Sequence, residues 1–145
     1  MDATAWFRVG VAFAAICLLS SCERPADRSP TATEVFHLRN ECAALGEKMR
    51  DNWGPGIVSL LTHYDPRTNR CYVSFVSKAG DDYHHHLFDG QTGEELAWSI
   101  TSVRVGEDAS GFVRPDLQVL PTNDADRFKA AEAFMKRMMA DDRAQ

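Results

Sequence analysis

Residues Ile57–Lys78 read IVSLLTHYDPRTNRCYVSFVSK, and this stretch decides the fold. Two runs rich in β-branched and aromatic residues flank Asp65-Pro66-Arg67-Thr68-Asn69. Proline presets the backbone angle of a turn, and Asp and Asn side chains bond locally to the chain. The reading is therefore a hairpin of two strands, Ile57–Tyr64 and Arg70–Lys78. Strand side chains alternate between faces, so Cys71, Val73 and Phe75 share one face and Tyr72, Ser74 and Val76 the other. The first face needs cover, and the preceding segment supplies it. Val35, Leu38, Cys42, Leu45 and Met49 recur at helical spacing and form one apolar stripe, while Arg39, Glu47, Lys48 and Arg50 fall off it. A helix is predicted over about Thr33–Asn52, capped by Thr33 with Glu34 in its first turn, and stopped by Gly54-Pro55-Gly56. Cys42 then lies on the buried stripe, opposite the face that carries Cys71.

Downstream the pattern stays β and then turns helical. Ala79-Gly80-Asp81-Asp82 reads as a turn, Tyr83–Phe88 as a third strand, and Asp89-Gly90-Gln91-Thr92-Gly93 as a hairpin with two glycines available for positive φ. A fourth strand runs from near Glu94 through Leu96 and Trp98 toward Val105. Residues 106–111 (GEDASG) form a polar loop. In Phe112–Leu120 (FVRPDLQVL), Pro115 argues against a central strand and for an edge segment or loop. Phe128, Ala131, Met135 and Met138, widened by Phe134 and Met139, mark a second helix over Asp124 to about Asp141, capped by Thr122 or Asn123. The expected fold class is α+β: an N-terminal helix on an antiparallel sheet of about four strands, with a C-terminal helix over an edge or the same face.

The N-terminus has a different character. Val9–Leu19 (VGVAFAAICLL) is uncharged, and it is shorter than the roughly 20 apolar residues a bilayer core requires. Small residues follow it, as in a cleaved signal segment, and Arg8 is the only cation before it. Leu19-Ser20-Ser21-Cys22 resembles the lipobox of bacterial lipoproteins. That resemblance implies cleavage before Cys22, a diacylglyceryl thioether on its sulfur and an acylated new amino group. Several acyl chains hold a protein stably on a membrane, each buried methylene contributing about 0.8 kcal/mol. Glu23 stands where Asp usually accompanies inner-membrane retention, so the resemblance points to the outer membrane, on the leaflet facing the periplasm. Residues 23–32 (ERPADRSPTA) carry two prolines, several charges and no large apolar group, and read as an extended tether. The expected organisation is a signal peptide over 1–21, lipidated Cys22 with its tether to 32, and one periplasmic domain over 33–141.

Composition limits the partners. The chain has 145 residues, 16 basic and 21 acidic, for a net charge of −5, and the signal segment removes one of each sign. Lys and Arg are scattered, so nothing resembles a nucleic-acid surface. Of the four cysteines, Cys17 leaves with the signal and Cys22 takes the lipid. Cys42 and Cys71 remain in a compartment that oxidises thiols, and a disulfide between them is expected. Two free buried cysteines, or a redox or metal pair, are the alternatives, though no CxxC spacing favours the last.

Two stretches carry a second resemblance. Residues 63–73 (HYDPRTNRCYV), with Cys42 upstream, and 87–97 (LFDGQTGEELA) are similar to small uncharacterised bacterial exported proteins with a "HYNPxxNRCYV … YDGQTGE" pattern. Asp65 stands where Asn is common there. That family brings no assigned activity. The DGQTGE hairpin also resembles the last hairpin of PepSY-type propeptide domains, which would imply modulation of an envelope protease.

The candidate chemistry is sparse. His84 and His86 share a strand face, and two imidazoles so placed can share a metal, with His63, Asp81 or Asp82 as further ligands; a solvated strand face is the bland alternative. No GxSxG elbow or free thiol supplies a nucleophile, so no enzyme is expected. Trp53, Trp98 and Phe112 fit either the core or a ligand groove. The expected function is a lipid-anchored, non-enzymatic binding or assembly domain on the periplasmic face, with an envelope protein as partner. A periplasmic metal-binding protein using His84 and His86 and a PepSY-like protease modulator are the alternatives. No cofactor beyond the lipid and that possible metal is implied.

Overall fold

The computed structural model describes residues 29–103 and 109–140. The signal segment, Cys22, the start of the tether and the expected ends at Val105 and Asp141 lie outside the described residues. The elements run α1 (Ala32–Trp53), β1 (Ile57–Asp65), β2 (Arg70–Ala79), β3 (Asp82–Asp89), β4 (Glu95–Ser102), β5 (Ser110–Val113) and α2 (Asp124–Met138). The chain is α+β, with an N-terminal helix, an antiparallel sheet and a C-terminal helix. Every strand pairs antiparallel with its sequence neighbours, in the order β1-β2-β3-β4-β5. The fifth strand joins the last two residues of the expected polar loop, Ser110 and Gly111, to the first two of the segment read as an edge or loop, Phe112 and Val113. It ends at Val113, so Pro115 falls just beyond it and costs the ladder nothing.

The first helix starts one residue earlier than expected, and its cap lies two residues earlier. Thr31, not Thr33, is the N-cap: its hydroxyl accepts from Glu34 N–H, and the Glu34 carboxylate accepts in return from Thr31 N–H at 2.7 Å. The stripe itself packs as expected. Val35, Leu38, Leu45 and Met49 lie against a cluster of Cys42, Tyr64, Cys71, Val73, Phe75 and Phe88. Cys42 and Cys71 are joined, with Cα atoms 5.4 Å apart, which ties α1 to β2. Asn123 caps α2 through Asp126 N–H.

The second helix does not share α1's face. Ala131, Phe134 and Met135 pack with Tyr72, Leu87, Leu96, Ala97 and Val113, whose side chains stand on the other side of the sheet. The reason is pleat parity: Tyr72 and Leu87 alternate with Cys71 and Phe88, so each strand offers an apolar set to both faces. The result is three layers, with α1 over β1–β2 on one face and α2 over β4–β5 on the opposite face. Both dockings are flush at a glycine. A Cβ on Gly46 of α1 would strike the Thr62 methyl, and one on Gly111 of β5 would sit 2.8 Å from the Arg127 carbonyl oxygen of α2.

Candidate functional site

The helices are placed diagonally: among the described residues α1 packs on β1 and β2, and α2 packs on β4 and β5 of the opposite face. On α1's face, register sets Leu60, Phe75, His86, Trp98 and Phe112 in one row across all five strands. Trp53, at the end of α1, closes over the middle of that row, with ring centroids 4.7 Å from Phe75 and 5.0 Å from His86. Past it, Trp98 and Phe112 lie stacked at 6.2 Å and half-buried, with no helix above them among the described residues. The row runs out to β5 and into a groove of about 310 Å³. Phe112, Pro115, Val119 and Leu120 give the groove its apolar walls, and Gln118 and Arg127 stand at its polar margin. Val119 is 89% exposed. The size falls at the lower end of ligand-binding clefts, and the mix of aromatic wall and few polar groups is typical of them. Of the aromatics singled out in the sequence, Trp53 caps the core row while Trp98 and Phe112 line the groove.

The histidines separate. His84 and His86 share α1's face of β3, as their spacing predicts, with rings nearly parallel and centroids 6.2 Å apart. Two imidazoles on one tetrahedral zinc would bring their centroids to about 5 Å and tilt them toward each other. His86 Nδ1 lies 2.6 Å from Glu95 Oε1, which leaves Nε2 as its remaining nitrogen. His63 does not join them. It pairs with Tyr72 and so stands on the opposite face, two strands away from His84. Among the described residues no three of His, Cys, Asp or Glu gather as a metal-binding group.

The third histidine builds something the sequence did not announce. His85 points to α2's face, where Nε2 lies 2.8 Å from Ser74 Oγ and Nδ1 lies 3.1 Å from Glu132 Oε1. Ser99 donates to the same carboxylate oxygen. With Nδ1–H donating to Glu132, Nε2 accepts the Ser74 hydroxyl proton. The hydrogen bond from His85 holds the Glu132 carboxyl below the ordinary glutamate range, Ser99 adds to this, and partial burial opposes it. Serine, histidine and acid stand in the atom order of a nucleophilic triad. The surroundings are those of a structural latch: Ser74 is 3% exposed, and it sits mid-strand with its backbone committed to β1 and β3. The residues come from three strands and a helix, and no sequence spacing links them.

The two stretches 63–73 and 87–97 meet at one end of the sheet. Arg70 binds buried Asp89 at 2.9 Å, Gln91 Nε2 donates to the Asn69 carbonyl, and Gly90 N–H donates to the Cys71 carbonyl. Tyr64 Oη donates to Asn69 Oδ1, and Asn69 takes φ 53°. Only Gly93 of the two hairpin glycines has positive φ. Gly90 is required for room instead, since a Cβ there would lie 2.8 Å from Cys71 Sγ. These residues lock two turns around the disulfide, which accounts for their identities without a ligand.

Comparison with known proteins gives no match: no family model, no curated protein and no solved structure is significantly similar to this chain. Among the described residues no helix is long and apolar enough to cross a membrane.

Proposed function

We propose that this chain is a lipid-anchored envelope protein whose domain binds a partner, without catalysis, in the groove beside β5. The observation that carries the reading is the uncovered end of the ring row, Trp98 and Phe112, opening into that groove. Half-buried aromatics with no helix over them are costly to leave wet and are the residues that anchor partners in interfaces. The lipobox-like Leu19-Ser20-Ser21-Cys22 supplies the anchor, and the short tether holds the groove near the lipid surface. The partner favoured by these walls is an apolar or aromatic segment of another envelope protein.

The test is in-cell crosslinking of the full-length chain, with mass identification of what it holds. Beside it run Phe112→Ala, which opens the groove, and Cys22→Ala, which removes the acylation site. A specific adduct is expected with the native chain and lost in Phe112→Ala, while Cys22→Ala moves the protein out of the membrane fraction. An adduct unchanged by Phe112→Ala would overturn the groove. Retention of Cys22→Ala in the membrane fraction would overturn the anchor.

A further inference from the structure

We propose that the outer face of α1, around Phe36, rests on the lipid surface that carries the anchor. The inference builds on the lipid anchor of the proposed function and adds which part of the domain meets the bilayer. Phe36 is 61% exposed, on the side of α1 turned away from the stripe that packs on the sheet. Ala32, Thr33, Asn40 and Ala43 stand at the same-face spacings from it, i−4, i−3, i+4 and i+7, and all four are exposed. The first three turns of α1 thus present one aromatic ring among small, uncharged neighbours. Charge is sorted around them by sign. His37 and Arg39 border the ring, whereas Glu34 and Glu41, at i−2 and i+5, point to other sides of the helix. Beyond Ala43 the same side turns ionic, with Arg50 paired to Glu47 and Asp51.

Position selects the occupant. Cys22 precedes the N-cap Thr31 by nine residues, so the chain between them spans at most about 32 Å. Phe36 follows little more than one turn into α1, and so stays close to the surface that holds Cys22. One ring adds too little to bind a free domain to lipid, but the anchor makes the contact intramolecular and raises its effective concentration. Charge agrees with position. An apolar ring with basic side chains at its margin and acids turned away is the pattern of a helix lying at a membrane interface, where the cations meet lipid phosphates. The ion-paired end of α1 suits water. A protein partner fits this face less well, because one ring among alanine, threonine and asparagine lacks the cluster of anchors that a specific interface buries.

The test uses the full chain, processed in cells, purified in detergent and reconstituted into vesicles of phosphatidylethanolamine and phosphatidylglycerol. Asn40→Cys carries an environment-sensitive dye one turn from Phe36. Lys129→Cys carries it in the control, exposed on α2 across the sheet from α1. Nitroxide-labelled lipid in the vesicles reads proximity to the headgroups. A blue shift and quenching are expected at position 40 and neither at 129. Phe36→Ser in the Asn40→Cys chain should remove both, and Phe36→Trp should keep them. In protein that floats with the vesicles, no quenching at 40, equal quenching at 129, or quenching that survives Phe36→Ser would each overturn the proposal. So would a blue shift at 40 without quenching, which would mean that a second copy covers the face. A chain that fails to float, or takes the dye at Cys22, would overturn the anchor itself and this inference with it.

Discussion

Glu132 accepts from both His85 and Ser99, and so fastens α2 to β3 and β4 through one carboxylate. Hydrogen bonds to a charged acceptor are stronger than neutral ones, but this side chain keeps 39% of its surface in solvent, which screens the gain. Glu132→Ala should cost about 1 kcal/mol of stability near neutral pH. The sign of its pH dependence follows from the lowered pKa. A carboxyl whose folded value lies below its unfolded one stabilises fully above the unfolded value, about 4.3, and that stabilisation fades as pH falls through the folded value. Urea titrations of wild type and Glu132→Ala at neutral and at acid pH should therefore converge in acid. A gap that stays constant would mean that the carboxylate contributes only packing.

The elements dock through glycines, and the two sites differ in what surrounds them. At Gly46 the obstruction is the end of a threonine side chain, which can rotate, and alanine gains about 1 kcal/mol of helix propensity. At Gly111 it is the Arg127 carbonyl and the Phe128 Cα, which move only if α2 moves. Gly111→Ala should destabilise by about 1–3 kcal/mol and Gly46→Ala by clearly less, read from thermal or urea unfolding. Equal losses would show that α2 is held less closely than its contacts imply. Neither glycine was legible in the sequence as a contact point, because a glycine inside a helix or strand pattern gives no sign of what approaches it. The elements themselves were legible where periodicity was strong. The stripe of α1 and the alternation in β2 placed Cys42 and Cys71 on facing surfaces, and they are joined. The N-cap lies at Thr31 rather than Thr33 because Glu34 stands three residues after Thr31 and closes a capping box with it. The side of the sheet taken by α2 was not legible, since β2 and β3 present apolar residues to both faces.

At the scale of the whole molecule, two clusters sit on opposite faces and meet only through the sheet. The disulfide braces one of them. Closing its 29-residue separation stabilises by roughly 3–4 kcal/mol in the chain-entropy account. Reduction should therefore act unevenly: amides of α1 and β1 should lose hydrogen-exchange protection before those of α2, β4 and β5, as followed by mass spectrometry. Uniform loss would mean that the two clusters unfold as one. The candidate groove was half legible. Trp98 and Phe112 stood out by type, but their adjacency is a product of register, and the bare face above them follows from where α2 went. The bridge also has a mechanical side. A pull on the chain ahead of Ala32 can unravel α1 only as far as Cys42. There the load passes through covalent bonds into β2, a strand gripped along both sides, which yields only by sliding past two neighbours at once. Tension applied at the N-terminal side is thus borne by a strand with a neighbour on either side.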